Sequence, residues 1–227
     1  MNVLITGANR GIGLEFTRQY LADGWQVIAC TRDPSGAHEL AALAGSNGGL
    51  IIEALDVADF AQIDRLAGKL KGQALDVLIN NAGIYRGSAF GALDYSAWAE
   101  SFKVNSMAPL KMAEAFAGHI AAGQLKKIAT ITSKMGSIDD NTSGGSYLYR
   151  SSKTAVNMAM KSLAIDLQLT GISAVTLHPG WVQTDMGGSN ALINARQSVS
   201  GMREVIENLT LANSGRFIAY DGNEIAW

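Results

Sequence analysis

The sequence predicts an α/β fold in which one Rossmann-like, doubly wound parallel sheet carries helices on both faces. Three observations predict it. Short apolar runs rich in β-branched residues recur along the 227 residues, helix-length segments separate them, and a glycine-rich turn joins the first run to the first helix. Runs without polar alternation belong to strands buried on both faces. Strand and helix taking turns require crossover connections, so the strands lie parallel, and whatever follows a strand gathers on the rim at its carboxyl end.

The elements follow in order. Val3-Leu4-Ile5 is the first strand and Ile12–Asp23 the first helix; Val27–Cys30 and Ile51–Leu55 are the next strands, with a helix over Phe60–Leu70. After the strand Val77-Leu78-Ile79, the stretch Tyr95–Ile120 reads as two helices with Pro109 near the break, because proline interrupts a helix. Ile128–Ile131 is the fifth strand, Tyr149–Leu169 a helix, Ala174–Leu177 the sixth strand and Arg216–Tyr220 the last. No repeat or linker divides the chain, and Pro34, Pro109 and Pro179 sit at element boundaries, so residues 1–227 read as one domain.

Composition removes several function classes. With 48% hydrophobic and 17% charged residues the chain buries a full core, which excludes disorder. A formal charge of -2 is too small a field to gather nucleic acid or coat a membrane, so neither is an expected partner. One cysteine, Cys30, forms no internal disulfide, and the opening Met1–Gly7 lacks the basic and apolar segments of a secretion signal. A reducing cytoplasm is the expected location.

Thr6-Gly7-Ala8-Asn9-Arg10-Gly11-Ile12-Gly13 leads from the first strand into a helix. Its glycines permit a tight turn, close approach of a pyrophosphate and close helix-on-strand packing, and the helix N-terminus offers free N–H groups. The spacing is G-x-x-x-G-x-G rather than G-x-G-x-x-G, so the loop matches the dinucleotide fingerprint in kind but not in detail. At the end of the second strand, Cys30-Thr31-Arg32-Asp33 favours NADP(H), because arginine pairs with a 2′-phosphate; Arg10 is a second candidate cation. If Asp33 faces the ribose instead, NAD(H) becomes the alternative.

Tyr149-Arg150-Ser151-Ser152-Lys153 puts a phenol and an ammonium on one helical face. That pairing suits proton transfer. Lowering a phenol's pKa by about three units needs roughly 4 kcal/mol of differential stabilisation, which Lys153 together with an oxidised nicotinamide can supply. Tyr147, six residues before Lys153, falls off that face. Ser133 closes the fifth strand, where its hydroxyl can hold a carbonyl oxygen; Thr132 and Ser137 are rivals. His38 and His119 have no metal-ligand spacing, no metal is expected, and His178 is expected to be structural.

Together these residues resemble the short-chain dehydrogenase/reductase family over nearly the whole chain. Thr6–Gly13 is similar to its cofactor loop, Asn80-Asn81-Ala82-Gly83 to its Asn-Asn-Ala-Gly element, Asn105 to its helix asparagine, Ser133 and the Tyr149/Lys153 pair to its catalytic set, and Pro179-Gly180-Trp181-Val182-Gln183-Thr184 to the segment cupping the nicotinamide. Gly215-Arg216-Phe217, Asp221-Gly222 and Tyr-Arg-Ser-Ser-Lys resemble the C-factor-like and sniffer-like carbonyl reductase branch. The resemblance implies an NAD(P)-binding Rossmann-like fold of about seven strands. It implies NADPH-dependent reduction of a ketone or aldehyde, with Tyr149 protonating the oxygen, Ser133 steadying it, Lys153 favouring the ionised phenol and Asn105 anchoring a water. Asp56 and Val57 would border the adenine; Gly7, Asn9, Arg10, Gly11, Ile12, Gly13, Arg32, Asn81, Ala82 and Gly83 would hold the rest of the cofactor with Pro179, Gly180, Val182 and Thr184. It also implies a small carbonyl or alcohol substrate and a homodimer or homotetramer, packing through Tyr95–Ile120 and Tyr149–Leu169 with Ala155, Met158, Ala159 and Ala164, and with Ile225–Trp227 adding apolar contact. The alternative is a dinucleotide-sensing or signalling module whose reductase activity is incidental.

Overall fold

The structure, a computed structural model, describes residues 1–44 and 48–227. Among them, the strands Asn2–Thr6 (β1), Gln26–Thr31 (β2), Leu50–Ala54 (β3), Val77–Asn80 (β4), Lys127–Ile131 (β5), Ser173–His178 (β6) and Arg216–Ala219 (β7) form one sheet in the order β3-β2-β1-β4-β5-β6-β7. Every pairing is parallel. The apolar runs form strands because successive side chains leave opposite faces and each face has a layer to bury it. Leu4, Ile28, Leu78 and Ile128 pack on the layer of Phe60–Lys69 (α3), Ala108–Ala121 (α5) and Tyr147–Asp166 (α6), through Ile63, Phe116 and Met160. Their neighbours Val3, Ile5, Val27, Ile79 and Val175 pack on the layer of Gly11–Ala22 (α1), His38–Ala44 (α2) and Ala195–Glu207 (α7), through Phe16, Leu40 and Met202.

Three expectations are corrected, and the two helices expected over 95–120 are found with their break close to Pro109. β3 is not buried on both faces: it is a sheet edge, and Ile51 is 41% exposed. The stretch 95–120 is interrupted at Lys103–Met107, a π-helical turn between Tyr95–Phe102 (α4) and α5, while Pro109 sits just inside α5, where its missing N–H costs nothing. Helix α6 begins two residues before Tyr149, at Tyr147. Helices α2 and α7 were not expected at all. In α7, Gly201 lies so near β7 that a Cβ would stand 2.1 Å from the Tyr220 carbonyl oxygen, so the glycine that weakens the helical signal is also what lets the helix pack.

Caps fix where helices begin. The carboxylates of Asp59 and Asp94 accept main-chain N–H bonds at the starts of α3 and α4, and the Asn194 side chain does the same for α7. Helix α1 is different: Arg10 occupies the N-cap and makes no side-chain cap bond. Its first-turn amides face the crevice beyond β1 and β4, neighbouring strands whose connections run to opposite sides of the sheet. A Cβ on Gly13 would stand 2.2 Å from the Gly7 carbonyl oxygen and 2.5 Å from the Asn81 amide nitrogen. Gly13→Ala is therefore expected to cost about 1–3 kcal/mol by pushing α1 off β1. Urea unfolding tests this; an unchanged midpoint contradicts it.

Candidate active site

The glycine loop is braced from β4. The Thr6 hydroxyl accepts from the Asn81 and Ala82 amides, both at 3.0 Å, and the Asn81 side-chain amide donates to the carbonyls of Thr6 at 2.9 Å and Gly7 at 3.0 Å. Gly7 has φ +65°, and a Cβ there would meet the Ala82 Cα at 3.0 Å. Asn9 and Ile12 are half-buried in the turn, and Gly11, φ +53°, faces the Thr184 methyl. Uncapped amides above a floor too tight for a side chain fit a pyrophosphate. Arg10, expected as a second cation, is ion-paired with Asp185 at 2.8 Å. Thr6 and its hydroxyl bonds were missed; a threonine directly before the first glycine is the signal.

At the end of β2 the two rivals separate. The Asp33 carboxylate accepts from the Ser35 amide and hydroxyl and the Gly36 amide, and these bonds hold its pKa below the usual range. Arg32 is exposed, and among the described residues it has no hydrogen-bond or ion-pair partner. Asp56 accepts from the Ala58 amide and Val57 is buried, so both sit just beyond β3.

The proton-transfer candidates meet where β5 ends. Its exit turns through a 3₁₀ segment, Lys134–Gly136, capped by the Ser133 hydroxyl, which accepts from the Met135 amide at 3.1 Å. The same hydroxyl acts to lower the pKa of the Tyr149 phenol. Ser137 is turned away, donating to the Trp227 main-chain oxygen, and Thr132 points at the Lys153 carbonyl. Geometry thus favours Ser133. One helical turn beyond Tyr149, the buried Lys153 ammonium donates to the Ile131 carbonyl at 2.9 Å and lies 5.7 Å from the Tyr149 ring centre. The Tyr85 ring packs edge-on against Tyr149, with centres 5.0 Å apart.

A buried phenol and ammonium and a half-buried hydroxyl thus meet at the carboxyl rim that also carries the glycine turn. Residues 1–216 match the family model described as short chain dehydrogenase. The chain belongs to the short-chain dehydrogenase/reductase family. It is 47% identical to the C-signal protein of Myxococcus xanthus over 154 residues, 67% of this chain and 93% of that one. It superposes on the carbonyl reductase Sniffer of D. melanogaster with a TM-score of 0.94 at 35% identity, covering 100% of this chain and 99% of that one. An NADPH-bound carbonyl reductase from chicken fatty liver gives a TM-score of 0.94 at 38% identity, covering 100% and 98%. The expected family, branch and fold are therefore found, and the protein is an oxidoreductase.

Within this dehydrogenase/reductase fold the side chains of several of these residues brace the site. Burial pushes Tyr149 up to about 12, and the Ser133 hydroxyl offsets only part of it; burial alone pulls Lys153 down to about 8. The protein's own groups therefore do not acidify the phenol. The side chain of Asn105, in the π turn, accepts from the Ile84 amide at 2.8 Å and donates to the Ile84 carbonyl at 2.9 Å and the Ser152 hydroxyl at 3.0 Å. It clamps the loop after β4 to α6, and Gly83 lies directly against it. Asn81 is likewise a brace.

The segment after β6 is held from below: the Pro179 carbonyl accepts from the Ser198 hydroxyl at 2.5 Å, Gly180 (φ +83°) has no room for a Cβ beside Ile193, and Val182 is buried. The Thr184 hydroxyl accepts from the Gly187 amide at 3.2 Å. A concavity of about 470 Å³ lies elsewhere, between α7 and the β7 edge, and none of the proton-transfer groups lines it.

His178 stands at the end of β6 with Nδ1 unpartnered among the described residues, and burial pulls its pKa down to about 4. The unfolded chain takes up that proton near pH 6.5 and the folded one only near 4, so stability is lost as pH falls between them, by up to about 3 kcal/mol. An imidazole that NMR finds neutral at pH 5 agrees; one that titrates at 6.5 contradicts.

Proposed function

We propose that this chain reduces ketone or aldehyde carbonyls with NADPH, reversibly, and that Tyr149 is the proton donor. One observation carries it: Gly136, at the end of the Ser133 turn, is wedged against Lys153 of α6, whose ammonium lies 5.7 Å from the Tyr149 ring centre, at the rim that also holds the glycine cradle. The bound dinucleotide supplies the hydride. Tyr149 gives its proton to the carbonyl oxygen, and the Ser133 hydroxyl holds that oxygen in line. Lys153 adds positive charge beside the phenol as it loses its proton. Asn105 acts indirectly, by keeping Ile84 and the adjoining Tyr85 wall against α6. Arg32 pairs with a 2′-phosphate, a reading supported by its lack of a partner, by the engagement of Asp33 with its own turn, and by the likeness to an NADPH-bound reductase. NAD(H) remains the weaker cofactor in this reading.

Assembly belongs to the same proposal. Ala164 is consumed in packing on the sheet layer, but Met107, Met158 and Ile165 stay exposed on the α5/α6 side, where a homodimer or homotetramer would cover them. No helix among the described residues is long and apolar enough to cross a membrane. The likeness to a protein named C-signal supports a second reading, a signalling module with incidental reductase activity, which robust turnover of any carbonyl in a panel of aldehydes, ketones and quinones would make unnecessary.

Tyr149→Phe is expected to lower kcat by about 10³-fold while the Kd for NADPH changes less than about twofold. Parental turnover in that variant contradicts the assignment. Arg32→Ala is expected to weaken NADPH roughly tenfold and leave NADH unaffected, measured by fluorescence titration. Because Lys153 is held at about 8, its charge is present below that pH and lost above it, so kcat/KM for reduction should fall as pH rises through about 8.

A further inference from the structure

The chain beyond β7 turns back on that strand. The Ala219 amide donates to the Asn223 carbonyl and the Ile225 amide to the Phe217 carbonyl, both at 2.8 Å, so the tail runs along the outer edge of β7. An ion pair between Arg216 and Glu224 at 3.4 Å reinforces this edge. The path delivers Trp227 to a definite place: its ring stacks on the fully buried Phe217, centres 5.6 Å apart and planes inclined by 29°.

There the main-chain oxygen of Trp227 accepts three bonds from the stretch that follows Ser133. Two consecutive amides, Ile138 at 2.8 Å and Asp139 at 3.2 Å, converge on it, with the Ser137 hydroxyl at 3.3 Å. That hydroxyl in turn accepts from the Asp140 amide at 3.1 Å. The near end of the same stretch is fixed differently: Gly136 is wedged against Lys153, and its carbonyl accepts from the Thr154 hydroxyl. Beyond Ser137 the side chains of Ile138 and Asp139 are exposed, and the far end is tied down by the contact with Trp227 and by an ion pair between Asp140 and Lys134 at 3.0 Å.

We propose that Trp227 is a positioning residue for the reaction: stacked on Phe217, it latches residues 137–140 and so holds the Ser133 turn against Tyr149. The proposal rests on the reading of Ser133 as the group that holds the substrate oxygen. The ring supplies the anchor and the main-chain oxygen supplies the hold.

The test compares the parent, a chain ending at Ala226, and Trp227→Phe, which keeps both ring and main-chain oxygen. The shortened chain is expected to lose about tenfold in kcat/KM for a carbonyl substrate, with the Kd for NADPH within about twofold of the parent, and Trp227→Phe to recover most of the loss. Hydrogen exchange should show the Ile138 and Asp139 amides protected in the parent and fast in the shortened chain. A shortened chain with parental kcat/KM overturns the proposal, as does loss of NADPH affinity in step with kcat/KM, or fast exchange of both amides in the parent. If the parent reduces no carbonyl, the functional reading fails, and the exchange experiment still decides whether the latch exists.

Discussion

The contact on which the site depends is the docking of α6 against the turn that leaves β5. It is too close for any side chain at Gly136, where a Cβ would stand 2.8 Å from the Lys153 carbonyl carbon and 2.9 Å from its Cβ. Polar bonds lock that approach: Thr154 and Asn157 donate to the Gly136 carbonyl, Arg150 to Met135, and the Lys153 ammonium to Ile131. With the turn on one side and the helix on the other, Tyr149, Lys153 and the Gly136 end of the Ser133 turn are held together, while Trp227 meets the far end of that stretch. Their juxtaposition is a property of backbone packing, and this is why a phenol and a hydroxyl from distant parts of the chain share one point.

The same closeness sets the electrostatics. Tyr149 and Lys153 are both buried, and burial drives each toward its neutral form, the phenol upward and the amine downward. Lys153 keeps its positive charge beside the phenol below about pH 8, and a bound oxidised dinucleotide would add to it. The cradle admits that ligand, since α1 starts without a side-chain cap above glycines that leave backbone exposed. Anion binding at α1 and acid–base work at α6 are thus complementary demands on one rim, met by opposite layers of the sheet.

Much of this was legible in the sequence. The β-branched runs became strands, those inside the sheet because each had two apolar faces to fill, and the alternation of strand and helix implied the parallel order. Tyr149 and Lys153 were legible because a helical period is local. What was not legible depends on tertiary contact. Helix α7 hid its buried face, Val199, Met202 and Ile206, among polar residues and a glycine whose purpose appears only against Tyr220. The π turn places Asn105 on Ile84 and Ser152, partners far away in sequence. The choice among Thr132, Ser133 and Ser137 depends on side-chain direction, which a strand-end position does not reveal: Thr132 points at the Lys153 carbonyl and Ser137 at the Trp227 main-chain oxygen.

The central claim is that Tyr149 becomes an acid near neutrality only when the oxidised dinucleotide lies beside it. Carbon-13 NMR of the tyrosine Cζ, assigned with Tyr149→Phe, reports that ionisation directly. The account predicts a pKa of about 12 for the protein alone and a value well below the ordinary phenol's 10 once NADP⁺ saturates the site. A Tyr149 phenol that keeps its proton past pH 10 with NADP⁺ bound would contradict it.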